Sequence, residues 1–435
     1  MQPEALYQNF LSSTGVTTDT RNIAEGNMFF ALKGDKFNAN SFVAEAFAKG
    51  AKYVVADELH DAAWKEKFGD NLWITDDALK TLQALAGYHR NHLKCPVIAI
   101  TGSNGKTTTK ELVAAVLSKK YKTYATKGNL NNHIGVPLTL LSIKNDVEFA
   151  VVEMGANHQG EIASYCQYVR PDFGLITNVG MAHTEGFGGF EGVVKGKTEL
   201  YKYIGEHGGK IFVSADNELL LSKIPDPNNK ITYGETTTAY CHGQMMNGTD
   251  FLSLIIFDSD NNPQKIQTQL VGDYNFENAM SAACIGKYFK VESQQIKEAL
   301  ESYTPGNNRS QKVALGSNTI ILDAYNANPS SMTEALKNFA KISAVNKMVI
   351  LGEMMELGDY AKTEHEKIAA LVKDMPLAKR VFVGSGFHFL ENEPGITWFS
   401  KTDDLKTWFK NQPFENTSIL IKGSRKNELE KILKD

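Results

Sequence analysis

From residue 96 onward, short apolar runs alternate with amphipathic stretches. The runs PVIAIT (96–101), FAVVEM (149–154), GLITNV (174–179) and KIFVSAD (210–216) are four to seven residues long, and helical patterns lie between them. Runs this short and this apolar predict strands buried on both faces of a parallel sheet. Residues 236–272 break the rhythm: FLSLIIF and KIQTQLV flank the polar segment DSDNNPQ, which predicts a hairpin added to that sheet. After Pro305 and Gly306 the alternation resumes with TIILDAY (319–325), KMVILGEM (347–354), RVFVGSG (380–386) and SILIKGSR (418–425), predicting a further Rossmann-like domain. The first ninety residues carry NMFFALKG (27–34) and AKYVVAD (51–57) around SFVAEAFAKG, whose Phe42, Val43, Ala46 and Phe47 share a helical face. They predict a small α/β unit, tied by a helical segment at 76–94 to the central sheet.

These pattern changes divide the 435 residues into three α/β domains at 1–93, 94–306 and 307–435, each long enough to bury a core. A net charge of −4 gives no general basicity that would attract nucleic acid or an acidic membrane, so small molecules are the expected partners. Cys95, Cys166, Cys241 and Cys284 form no CxxC pair and read as buried thiols of a reducing compartment. The N-terminus lacks the pattern of a secretory signal, and no apolar run approaches the ~18 residues of a membrane span. A cytoplasmic monomer is expected.

In an open α/β sheet, ligands sit outside the carboxyl ends of the strands. Residues 102–107, Glu153 and the loop holding His183 are therefore expected to converge on one crevice. The strongest local signal is VIAITGSNGKTTTKEL (97–112), a strand, a glycine turn, a lysine and the start of a helix. Gly102 and Gly105 permit a tight path, Ser103 and Asn104 lie between them, and the loop amides with Lys106 suit anionic oxygens. Thr107 supplies a hydroxyl suited to magnesium, and Thr108 follows it. The usual phosphate-loop spacing would need glycine at position 100, where the chain has Ile100. Glu153 closes an apolar strand and reads as a metal carboxylate or as a solvated strand end. His183 in ITNVGMAHTEGFGG reads as a ligand or as an ordinary loop histidine. Lys195 and Lys197, on a predicted helix, read from the residues alone as a solvated face, and KGNLNNHIGVP (127–137) reads as a turn.

Together TGSNGKTTT, GNLNNHIGVP, EMGA, NVGMAHTEGFG, GDYNFENAMSAA (272–283) and DAYNANPSSM (323–332) resemble, in order and over nearly the whole chain, the Mur ligases. These are ATP-dependent amide-forming enzymes of peptidoglycan precursor synthesis. The resemblance implies an N-terminal UDP-binding domain, a central ATPase domain and a C-terminal Rossmann-like domain. It also implies an acyl phosphate, made from the terminal carboxylate of a UDP-linked peptide and attacked by an amine. Lys106 and the loop would bind ATP with two magnesium ions. Thr107 and Glu153 would hold the first ion. His183 and a carbamylated lysine, aligned at Lys197 of KTELY rather than Lys195, would hold the second. Asn275 and Asn278 would hold the adenine end, with Arg309 and Asp323 near phosphates and ribose. Because ATP would then contact two domains, the last is expected to close over it.

DAYNANPSSM, GEMMELGDYAKTEH (352–365) and LIKGSR (420–425) are similar to the members that add D-alanyl-D-alanine to UDP-N-acetylmuramoyl-tripeptide, and no DNPR-like run of the tripeptide-forming relatives occurs. The resemblance thereby implies Asn326 and Asn328 at the D-alanyl-D-alanine pocket, and Thr20, Arg21, Asn131 and Asn132 among the substrate contacts. The N-terminal run departs from the family pattern at Asn38-Ala39-Asn40, where Asp-Gly-His is expected. Two alternatives stay open within this chemistry, a tripeptide-forming ligase and a folylpolyglutamate synthetase. A nucleotide-dependent switch without ligation is a third reading, of another class.

Overall fold

The computed structural model describes residues 3–35, 37–246, 251–258, 261–306 and 308–433. The expected division before residue 307 falls on a position outside them.

The predicted middle strands form the centre of a nine-stranded sheet. Val97–Thr101 lies between Phe149–Glu153 and Phe173–Ile176, all parallel, with Lys210–Ser214 next beyond. Every residue of Val97–Thr101 and Phe149–Glu153 is buried, as strands covered by helices on both faces require. The expected hairpin is present: Ser253–Phe257 and Pro263–Gln267 pair antiparallel, and Cys241–Met246 joins them to the parallel sheet through Lys230–Gly234. Those two joining strands and the edge strand Thr123–Ala125 are elements the apolar pattern did not reveal, because each is short or only partly apolar.

The last domain holds a six-stranded sheet. Thr417–Lys422 sits between Asn318–Asp323 and Asn346–Gly352, parallel to both, and the antiparallel Gln311–Leu315 forms one edge. In this register Asp323 and Lys422 are neighbours at the carboxyl ends of their strands. The first domain has a four-stranded parallel sheet, ordered Val16–Thr17, Met28–Phe30, Tyr53–Ala56, Leu72–Ile74.

The first domain buries a core of its own, with Phe29, Val43, Ala46, Val54 and Leu72 in one apolar cluster, and shares a second cluster with the central domain. The helix Ala78–His92, expected at 76–94, lies between domains: Leu82, Leu85 and Ala86 belong to one apolar cluster with Tyr7, Phe10 and Met28 on one side and Tyr165, Cys166 and Tyr168 on the other. Arg90 fastens it, donating to the carbonyl of Val169 at 2.9 Å and pairing with Asp172 at 2.8 Å. All four cysteines are buried and unlinked, and no helix of the described residues is long and apolar enough to cross a membrane.

At Asn38-Ala39-Asn40 the structure has a closed polar network. Asn40 is fully buried; its Oδ1 accepts from the backbone N–H groups of Asp57 and Glu58 at 3.1 and 3.2 Å, and its Nδ2 donates to Asp57 at 2.6 Å. Asn38 donates to Glu58 at 2.7 Å. The unexpected residues are thus fixed parts of the first domain's fold.

Candidate functional site

The carboxyl ends of the central strands open onto a cavity of about 830 Å³ that the last domain covers. It is lined by Ser103, Asn104, Gly105, Lys106, Thr107, Thr108, Asn131, Asn132, Glu153, His183, Asn275, Asn278, Arg309, Asp323, Asn326 and Asn328. Of the residues expected at the site, only Gly102, Lys197, Thr20 and Arg21 lie outside this wall. Thr20 and Arg21 occupy a turn of the first domain, where exposed Arg21 pairs with Asp19 at 2.7 Å and holds its carboxyl down to about 2.

The loop's glycines are obligatory. Gly102 has φ +144°, and a Cβ there would lie 2.0 Å from the Thr177 hydroxyl; Gly105 has φ +79°, and a Cβ would lie 2.6 Å from Asn278 Oδ1. The helix Lys106–Leu117 then starts with no side-chain cap, leaving its first N–H groups toward the cavity. Lys106 folds back on its own loop, donating to the carbonyls of Gly102 and Ser103 at 2.7 and 3.1 Å. Burial pulls its pKa down to about 8, with Glu153 opposing that shift and Arg309 adding to it.

Thr107 Oγ1 donates to Glu153, lying 3.1 and 3.0 Å from its two oxygens, and Asn131 Nδ2 donates to the same carboxylate at 2.7 Å. Glu153 is 1% exposed. The nearest cation, Lys110 at 3.9 Å, is itself buried. A hydroxyl and a carboxylate in contact at a helix N-terminus are hard oxygen donors of the kind magnesium takes while keeping water and phosphate as its other ligands. Among the described residues no group of three or more His, Cys, Asp or Glu side chains is arranged to hold a metal ion.

Lys197 corrects the reading taken from residues alone. The helix Phe190–Glu206 buries Val193, Lys197, Leu200, Tyr201 and Ile204, so Lys197 lies in the middle of its apolar stripe, whereas Lys195 is exposed. Lys197 Nζ donates to the carbonyl of Ala156, a cavity-wall residue, at 3.0 Å, and stands 5.0 Å from the Phe187 ring centroid. Burial, and after it the charge of Lys106, holds its pKa well below the ordinary lysine range.

Asn275 and Asn278 are buried and mutually bonded at 2.9 Å, and Asn278 accepts from Thr109 at 3.0 Å, so the pair braces the loop helix as well as lining the cavity. Across the cavity Arg309 stacks on Tyr325, its guanidinium carbon 3.7 Å from the ring centroid. Asp323 is held by buried Lys422 at 2.5 Å. Neither Lys422 nor Lys110 was expected at the site. The signals were there, a lysine closing an apolar strand and another one helical turn beyond Lys106.

The last domain touches the phosphate loop directly. Asn328 Nδ2 donates to Asn104 Oδ1 at 2.7 Å, Ser330 Oγ accepts from the Met181 N–H at 3.0 Å, and His183 meets Glu356 in an ion-pair contact. Asn328 also caps the helix Pro329–Lys341, accepting from the Ser331 N–H at 2.9 Å. These two duties separate by substitution. Asn328→Ala is expected to destabilise that helix by about 1 kcal/mol, the usual worth of such a cap. Asn328→Asp keeps the cap and loses only the bond to Asn104. Hydrogen exchange of the helix reads the first effect, and small-angle scattering reads domain separation in both variants.

The Mur ligase middle domain matches residues 100–286, and the Mur ligase glutamate ligase domain matches residues 308–398. The UDP-N-acetylmuramoyl-tripeptide--D-alanyl-D-alanine ligase of Bacillus subtilis is 34% identical, over 97% of this chain and 92% of its own length; that of Escherichia coli is 32% identical, over 96% and 92%. A crystal structure of MurF from Acinetobacter baumannii superposes with a TM-score of 0.86 at 29% identity, covering 99% of this chain and 97% of that one. With the short phosphate loop, the paired Thr107 and Glu153, and relatives that match nearly its whole length, the chain belongs to the Mur ligase family.

Proposed function

We propose that this protein is an ATP-dependent ligase that joins D-alanyl-D-alanine to UDP-N-acetylmuramoyl-tripeptide in the cytoplasm, in the building of peptidoglycan precursors. The observation that carries the proposal is the bond between Asn328 of DAYNANPSSM and Asn104 of the phosphate loop, which sets the segment typical of these ligases against the loop expected to bind ATP. The relatives named for this reaction match nearly end to end.

The chemistry brings two anions together, a peptide carboxylate and a triphosphate. Lys106 leaves the loop carbonyls for the phosphates, and the helix N–H groups stabilise the charge that develops as the acyl phosphate forms. Thr107 and Glu153 would hold one magnesium ion, and His183 with a carbamylated Lys197 would hold the second; bound there, the ions would neutralise phosphate charge and polarise the transferred group. Asn326 and Asn328 position the dipeptide, whose amine attacks the acyl carbon and expels phosphate. Asn131 donates to Glu153 and also faces the cavity. Carbamylation requires an uncharged amine to attack carbon dioxide. The depressed pKa of buried Lys197 supports this assignment over exposed Lys195.

The test is phosphate release from ATP and the UDP-linked tripeptide with different acceptors. D-alanyl-D-alanine is expected to drive turnover, while single amino acids and glutamate are not. Turnover with a single amino acid on a UDP-linked dipeptide would indicate the tripeptide-forming ligase, and turnover indifferent to every acceptor would indicate a switch.

A further inference from the structure

The segment GEMMELGDYAKTEH carries resemblance to the D-alanyl-D-alanine-adding ligases, and its Glu356 is also the last domain's point of contact with His183. We propose that Glu356 is a positioning residue that completes the metal site from the opposite domain, accepting a hydrogen bond from the Nδ1–H of His183 and thereby leaving Nε2 as the ligating nitrogen. The proposal rests on the reading of His183 as a magnesium ligand.

Three observations support it. Nδ1 of His183 is buried and meets Glu356 Oε2 in an ion-pair contact, without another hydrogen-bond partner among the described residues. Secondly, both residues are non-glycine and left-handed, with φ +53° at His183 and +62° at Glu356. Such conformations cost energy and persist where surrounding structure enforces them, commonly at functional sites.

Thirdly, the loop that presents Glu356 is built rather than loose. Buried His365 accepts from the Met354 N–H through Nε2 at 2.9 Å and donates through Nδ1 to the Ala361 carbonyl at 2.6 Å. Ser424 Oγ accepts from the Met355 N–H at 3.0 Å. Beyond Glu356 the chain passes so close to the helix after His183 that a Cβ on Gly358 would lie 3.2 Å from Glu185 Cβ. A histidine that ligates a metal ordinarily donates its other N–H to an acceptor that fixes ring and tautomer. Here that acceptor belongs to the other domain, so the site is complete only while the domains touch.

The test uses Mn²⁺ in place of Mg²⁺, with the full-length protein, the β,γ-methylene analogue of ATP and the UDP-linked tripeptide. Pulsed electron paramagnetic resonance then reads histidine nitrogen coupled to the metal. Wild type is expected to show the coupling. Glu356→Ala should lose it and weaken Mn²⁺ binding roughly 10- to 100-fold, the range for removing such an outer partner. Glu356→Gln keeps a carbonyl acceptor and should recover most of both. Scattering should find the domains of Glu356→Ala still together, since the bonds of Asn328 and Ser330 remain. Coupling and affinity unchanged in Glu356→Ala would overturn the proposal. So would absence of the coupling in a wild type that still releases phosphate with D-alanyl-D-alanine, a result that leaves the ligase reading standing.

Discussion

Lys197→Ala is expected to lower kcat roughly 10²- to 10³-fold, the scale for removing one preorganised charge-stabilising group, and added formate or acetate should restore part of it. Burial is the root of this effect. Lys197 is 1% exposed and among the described residues its ammonium has one hydrogen-bond partner, the Ala156 carbonyl, so the charged form is poorly accommodated. A neutral amine there can add carbon dioxide and become an anionic oxygen ligand. Deleting the side chain leaves space beside Ala156 for a small carboxylate to take the carbamate's place. Lys195→Ala should leave kcat near wild type because that side chain is exposed. In protein equilibrated with ¹³C-bicarbonate, a carbamate resonance should be present in wild type and Lys195→Ala and absent in Lys197→Ala. Normal turnover in Lys197→Ala with a dead Lys195→Ala would reverse the assignment.

That pair of lysines also marks where residue patterns inform and where they stop. Val193, Leu200, Tyr201 and Ile204 already define an apolar stripe with Lys197 inside it, so the burial was legible in helical periodicity once the lysine's charge was set aside. The central strands were legible for a similar reason: strands covered on both faces admit little but apolar residues, and the run lengths separate them from helices. The strand Lys230–Gly234 was not, since alternate positions meet solvent and dilute the signal. Contacts between domains leave no local pattern at all. Nothing near Glu356 in sequence points to His183, and nothing near Asn328 points to Asn104, because each pairing depends on how two separately folded sheets meet. Family resemblance carried those segments into view without saying what they touch.

Lys106→Met should abolish measurable ligation, and the pH dependence of wild type should show why. Burial sets the Lys106 pKa to about 8 in the ligand-free protein, so the ammonium is present below that pH and is lost as pH rises through it. Because kcat/KM for ATP reports groups of the free enzyme, it should fall on the alkaline side with a pKa near 8. In the bound state the triphosphate stabilises the ammonium and raises its pKa, so kcat should stay level to higher pH. Lys106→Arg separates charge from shape. Its guanidinium stays protonated throughout this range, and the two loop carbonyls that seat the lysine at 2.7 and 3.1 Å leave a wider group poorly placed. The Arg variant should therefore be slower than wild type at neutral pH and show no alkaline fall in kcat/KM. If the fall persists unchanged in Lys106→Arg, another group titrates, and the charge on Lys106 is not what the loop presents to ATP.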